Sequence, residues 1–306
     1  SRICDFPPNS KHRRLALYNA GLSFEKLKAW EEAYAKFLEL SDPAKGTGDT
    51  LDAAFRVAEV LYHMERFPDA VEVLRVLSDR TALSVDKRIE ARTQQGICEL
   101  EGGDLDGAER TLRSVLTMYN EHPDKDLIDE YFPGQAQFFV GEIFRLRYES
   151  IVLDANKSTE KLAEDLEYKS ELLLSSQGHY LRAIRLGNGY WATAAGQRIG
   201  QLYENMYDHM ANAPAPADLS QEEQDVYRAE LRKKIRVLIA KAITVYERTL
   251  EAAERIGSQS PFVEETRASL KRMKELLLAE AKAEEEAPPP PAPPPAPTKG
   301  KGKPNS

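Results

Sequence analysis

Apolar residues recur at i, i+3, i+4 and i+7 from Lys11 onward, and the alternation of half-buried strands is absent. That period is the helical one, so the chain predicts helix almost throughout. The helices come in pairs. Leu17, Ala20, Gly21 and Phe24 share a face of one helix, and Ala33, Phe37 and Leu40 a face of the next, in a hairpin from about Arg13 to Leu40. The plan returns as Ala54, Val57, Ala58 and Leu61 followed by Ala70, Leu74 and Leu77, with a turn expected at Phe67-Pro68-Asp69. A third copy has Gly96 and Leu100, then Ala108, Leu112 and Val115 beyond Gly102-Gly103-Asp104, and ends at Glu121-His122-Pro123.

A small residue marks each first helix: Gly21, Ala58, Gly96, Gly141 and Gly200. Twelve residues after each of the first three comes an alanine (Ala33, Ala70, Ala108), and four further on a large apolar residue (Phe37, Leu74, Leu112). Two closely crossing helices need a small residue where their backbones approach and a bulky one to fill the space beside it. A fixed interval between such pairs means one hairpin built repeatedly, a helical array of the kind that usually serves as a binding surface.

These residues resemble the tetratricopeptide repeat (TPR) family, with small residues at its eighth and twentieth positions and large apolar or aromatic ones at the fourth, eleventh and twenty-fourth. Leu17-Ala20-Gly21-Phe24-Ala33-Phe37 matches well, Ala58/Ala70/Leu74 less fully, and Gly96/Gly103/Ala108/Leu112/Pro123 well except for Glu99 where an aromatic is expected. The resemblance spans residues 13–123, three hairpins. Beyond them the intervals between small residues grow, the four along the chain being 37, 38, 45 and 59. Residues 124–260 therefore read as two divergent, longer hairpins. One has Val140-Gly141 and Phe144, an insertion at about 150–176, then Gly178, Tyr180, Ala183 and Leu186. The other has Ile199, Gly200 and Tyr203, a break at Pro214-Ala215-Pro216, and a long helix carrying Ala242, Tyr246 and Leu250. Residues 261–283 read as a capping helix and 1–12 as an irregular entry. In the tail, 284–306, the last twenty residues hold nine of the 18 prolines, which predicts disorder with polyproline II character near Pro288–Pro297. The expected fold is all-α, a right-handed superhelical solenoid of TPR-like hairpins with a C-terminal capping helix and a disordered tail.

Charge narrows the function. The net charge is -8, and because the tail after Glu286 carries three lysines and no acid, the rest is -8 - 3 = -11. An acidic body argues against nucleic acid as a partner. No apolar run approaches the length of a transmembrane span. Cys98 reads as a small buried hydrophobe, and a Cys4–Cys98 disulfide stays open. The five histidines form no metal-ligand pair at helical spacing, and Gly187-Asn188-Gly189 lacks the third glycine and the strand of a dinucleotide loop, so it reads as a helix–helix turn. No catalytic, metal or cofactor set emerges, and the chain reads as a non-catalytic interaction scaffold.

In a TPR-like array the first helix of each hairpin lines the concave face. The inward positions are then Tyr18 and Leu22 in the first unit, Phe55, Glu59 and Tyr62 in the second, and Phe138, Glu142 and Arg145 in the fourth, with Glu90, Ile97 and Gln135 among their neighbours. Tyr18, Phe55, Tyr62 and Phe138 are candidate anchors unless a neighbouring helix covers them. An acidic, aromatic groove suits a basic or apolar segment of a protein or peptide partner. It lacks the basic, asparagine-bearing clamp with which some TPR proteins hold acidic chaperone tails. In overall style the chain resembles bacterial cell-envelope TPR proteins, accessory parts of secretion, envelope-maintenance and myxobacterial gliding machines, which implies a periplasmic or envelope setting, with a cytoplasmic one as alternative. The second reading is a regulatory or recruiting module of an enzyme or signalling protein whose catalytic domain lies outside this chain.

Overall fold

The structure, a computed structural model, describes residues 10–41, 48–124, 127–153, 157–212 and 220–286. Its helices are α1 (Lys11–Lys26), α2 (Trp30–Leu40), α3 (Gly48–His63), α4 (Phe67–Ser78), α5 (Val85–Glu101), α6 (Leu105–Glu121), α7 (Tyr131–Ser150), α8 (Thr159–Arg185), α9 (Gly189–Ala211), α10 (Gln221–Ile256) and α11 (Pro261–Glu286). No strand occurs among the described residues. Each odd-numbered helix through α9 packs on the even-numbered one after it, successive pairs stack, and α11 lies on α9 and α10. The result is an all-α solenoid of stacked TPR-like hairpins. The first helices also meet one another along the inner face, α1 with α3, α5 with α7, α7 with α9 and α9 with α11, whereas α3 and α5 stand further apart.

The small-residue beat marks the close crossings. A Cβ added at Gly21 would lie 2.6 Å from the Phe37 ring, one at Gly96 2.6 Å from Leu112, and one at Gly141 2.6 Å from Tyr180. Gly200 faces Tyr246 in the same way. The partner residues Phe37, Leu112, Tyr180 and Tyr246 are fully buried, so each ring or branch fills the space that the missing side chain leaves.

The turns inside the first three hairpins repeat as well. Lys28 (φ 56°), Glu65 (φ 57°) and Gly103 (φ 87°) occupy equivalent left-handed positions, though only the third is a glycine. Phe67 and Pro68 open α4, so the second turn lies at Met64–Arg66, ahead of the expected Phe67-Pro68-Asp69. Proline has no N–H to donate, and the first helical turn needs none from it. Asn188 caps α9 and makes Gly187-Asn188-Gly189 a helix–helix turn, and Ser220 with Glu223 forms a capping box at α10.

Residues 159–176, most of the stretch read as an insertion, are continuous with Gly178 and Tyr180 in the 27-residue α8. Lys169 on this helix is fully buried. Its Nζ donates to the carbonyls of Tyr148 and Ile151, at 2.9 Å each, and lies 4.0 Å from the centre of the Tyr148 ring. It thereby closes the C-terminal end of α7, whose last carbonyls have no helical partner. Cys98 is buried and unpaired. Cys4, the irregular entry up to residue 9, the Pro214–Pro216 break and the tail from Ala287 lie outside the described residues.

Candidate functional site

Where α3 and α5 stand apart, the concave face opens into a cavity of about 500 Å³ between α3, α5 and α7. Three first helices supply its walls. From α3 come Phe55, Glu59 and Tyr62, from α5 Glu90, Gln94 and Ile97, and from α7 Tyr131, Phe132, Gln135 and Phe139. The helical period places these side chains, since residues three, four and seven apart return to one face of a helix. The aromatic members are half-buried, with part of each ring left to solvent. Trp30 stacks on His63 at the α3 end of the cavity, with centroids 4.6 Å apart, and Trp191 packs edge-on against Phe139 and Tyr131 at the α7 end. Both tryptophans of the chain thus pack on residues that line this space.

The polar groups of the cavity are few. The Gln94 amide donates to Gln135 Oε1 at 3.2 Å, tying α5 to α7. Glu59 accepts from Arg56 at 2.7 Å, and Glu90 from Lys87 at 2.8 Å. The Lys87 ammonium lies 5.3 Å from the Phe55 ring. Burial pushes the Tyr62 phenol above its ordinary pKa and the Cys98 thiol up to about 12. The one sulfur on the cavity wall is thus a neutral thiol at physiological pH and no nucleophile.

The other inward positions go elsewhere. Phe138, expected as an exposed anchor, is only 4% exposed and packs among Tyr180, Trp191 and Phe139 in the core. The covering elements are α8 and α9, which sit over that face of α7. Glu142 is buried too, and accepts from Tyr180 Oη, from Arg145 at 3.0 Å and from Arg198 at 3.1 Å. Desolvation and the adjacent Glu142 carboxylate raise the Tyr180 phenol far above its ordinary pKa. Arg145 borders a second, polar cavity of about 250 Å³ shared with Glu149, Glu204, Asp208 and Arg272. Tyr18 meets the Phe37 ring edge-on at 5.7 Å and lines a separate pocket of about 260 Å³ with Arg14 and Asp52. Leu22 is half-buried against the α2–α4 core. Of the eight expected groove residues, the structure gathers Phe55, Glu59 and Tyr62 into one cavity.

The cavity residues not anticipated include His63, Gln94, Tyr131, Phe132 and Phe139. The aromatic doublets Tyr131-Phe132 and Phe138-Phe139 were visible, with Phe132 and Phe139 seven residues apart on one face. Both members of the first doublet line the cavity, whereas which member of the second does so depends on how α7 is rotated between α5 and α9. Phe139 lies on the side of α7 that borders the cavity, and Phe138 on the side that α8 and α9 cover.

No family model matches the chain, and no curated protein matches it. Solved structures do. A putative kinesin light chain with nearly identical TPR-like repeats from Podosopora anserina is 14% identical over 76% of this chain and 98% of its own, with a TM-score of 0.40. A Rap protein complexed with competence and sporulation factor is 15% identical over 86% of this chain and 75% of its own, at 0.41. BtubC from P. vanneervenii is 13% identical over 91% and 93%, at 0.36.

Proposed function

We propose that this protein is a non-catalytic interaction scaffold that holds an extended segment of a protein partner in its concave groove. The observation that carries the reading is the cavity between α3, α5 and α7, with Phe55, Tyr62, Tyr131, Phe132 and Phe139 around it. Its volume lies in the range of specific binding pockets, and it combines apolar walls with a few placed polar groups. Folding alone would favour withdrawing these rings from water, at roughly 25 cal/mol per Å² of apolar area, so the exposed area is free energy available to a ligand. With α5 and α7 packed about 10 Å apart and α3 standing further off, the groove is at least about 20 Å wide, the span of about six or more residues of extended chain. Glu59 and Glu90 favour apolar segments with basic flanks over acidic ones. The acidic body and the Pro/Ala/Lys-rich tail support an envelope setting, which fractionation of the source cell tests.

The test is selection of peptides from a random display library on the full chain. The recovered peptides are expected to be apolar with Lys or Arg, and to lose binding to a Phe55→Ala/Tyr62→Ala variant whose circular dichroism matches the parent. Equal binding to parent and variant would remove the groove from the reading.

A further inference from the structure

The cavity between α3, α5 and α7 carries charge of one sign. Glu59 and Glu90 line it, and among the described residues no lysine or arginine does. Around these carboxylates stand the rings of Phe55, Tyr62, Tyr131, Phe132 and Phe139. Carboxylates among aromatic rings attract a cation twice over, through their charge and through the negative faces of the rings. We infer that this cavity seats the ammonium of a partner's lysine side chain, unmodified or methylated, between Phe55, Glu90 and the Tyr131–Phe132 pair. The inference rests on the groove reading above and names the anchor of the segment held there.

Lys87 shows that an ammonium fits there. Its Nζ donates to Glu90 Oε2 at 2.8 Å and lies 5.3 Å from the centre of the Phe55 ring, within cation–π reach. It is weakly held. Its side chain is 42% exposed, and an exposed pair at this helical spacing contributes little. Lys87 also sits in the first turn of α5, where the helix dipole opposes a cation. A lysine from a partner therefore takes over Glu90 at small cost, while Lys87 swings into water on its flexible stem.

The helix layout brings the second wall level with the first. The Gln94–Gln135 hydrogen bond sets these residues of α5 and α7 side by side, and both first helices run the same way. Glu90 and Tyr131, each four residues earlier, are then level, about 6 Å nearer the helix starts. Phe132 follows Tyr131, and the two rings meet edge-on with centroids 5.2 Å apart. Phe55 belongs to the same level, because Lys87 touches both its ring and Glu90. Glu59, one turn along α3 from Phe55, adds a second negative charge and accepts only from the exposed Arg56 on its own helix.

A partly desolvated cation–π contact together with one carboxylate should favour lysine over a neutral side chain of the same length by about ten-fold. Trimethylation keeps the charge and the ring contact and removes the hydrogen-bond donors, so trimethyllysine should bind at least as well as lysine. Lys87 competes for the same carboxylate, and its removal should tighten lysine binding by about two- to three-fold.

The experiment uses the full chain and full-length Lys87→Met and Glu90→Gln variants, matched to the parent by circular dichroism. The probes are labelled synthetic peptides of alanine, serine and leucine around one central residue, read by anisotropy. That residue is lysine, trimethyllysine, norleucine or glutamate. Lysine and trimethyllysine are expected to bind about ten-fold more tightly than norleucine, and glutamate more weakly still. Lys87→Met is expected to tighten the two cationic peptides and leave norleucine unchanged, and Glu90→Gln to remove most of the preference for lysine. Norleucine binding as tightly as lysine, or a lysine affinity that Lys87→Met leaves unchanged, would overturn the proposal. So would lysine binding that trimethylation abolishes, since a hydrogen-bonded surface carboxylate rather than the rings would then hold the group. If norleucine matches lysine and both are lost in Phe55→Ala/Tyr62→Ala, the lysine seat fails and the groove stands. If none of the four peptides binds while library-selected peptides still need Phe55 and Tyr62, the seat again fails alone. If bound peptides are indifferent to Phe55 and Tyr62, the groove itself fails.

Discussion

Gly141 and Gly178 lie on adjacent helices of one hairpin, and the same substitution should move stability in opposite directions at the two. A Cβ at Gly141 would lie 2.6 Å from Tyr180 Cε1, 2.7 Å from Cδ1 and 3.1 Å from Cζ, where ordinary contacts begin near 3.4 Å. The ring has nowhere to go. Tyr180 is fully buried, its hydroxyl is given to Glu142, and Phe138 packs beside it with centroids 5.5 Å apart. Overpacking of this kind costs about 1–3 kcal/mol, and the helix propensity gained from Gly to Ala returns roughly 0.5–1 kcal/mol. Gly141→Ala should therefore destabilise by about 1–2 kcal/mol, a fall of roughly 2–8 °C in melting temperature for a domain this large. At Gly178 the nearest atoms to a new Cβ are the Arg182 guanidinium nitrogens, at 3.8 and 3.9 Å on a flexible side chain. Gly178→Ala keeps the propensity gain and should stabilise by about 0.5–1 kcal/mol. Both are read as thermal melts by far-ultraviolet circular dichroism. A Gly141→Ala protein as stable as the parent, or two variants shifted alike, would refute the claim that the small-residue beat marks helix approach.

Three further outcomes are expected. Lys169→Met removes the side-chain donor to the Ile151 carbonyl and one of the two donors to the Tyr148 carbonyl, which keeps the Ile151 N–H, and should cost about 1–3 kcal/mol in urea denaturation. His179, whose Nδ1 accepts from Gln137 at 2.7 Å, is held at a pKa of about 4 by burial and by Arg182 and Arg113, below its ordinary 6.5. The unfolded chain binds more protons between those values, so stability falls as pH drops through that window, and His179→Gln should flatten the fall measured by urea midpoints. At Lys28 and Glu65, glycine relieves the left-handed strain that Gly103 already avoids, so Lys28→Gly and Glu65→Gly should each raise stability by up to about 1 kcal/mol in the same melts.

The hairpin plan was legible in the residues because it is local. A 3.6-residue period, a glycine sixteen residues before a bulky side chain, and serine or asparagine ahead of a helix each act through neighbours close in sequence. Gly21 with Phe37 and Gly96 with Leu112 meet as that spacing implies. In the longer units the partner moves away, to Tyr180 for Gly141 and Tyr246 for Gly200, and no fixed interval points to it. The groove is different in kind. Phe138 and Phe139 are consecutive and chemically identical, and either could face outward from an isolated α7. Only the packing of α8 and α9 against one side of that helix, and the gap between α3 and α5 on the other, buries Phe138 and leaves Phe139 at the cavity. Helix identity follows from the pattern along the chain, whereas the exposure of a given side chain depends on the rotation of each helix against neighbours distant in sequence, which the tertiary packing alone decides.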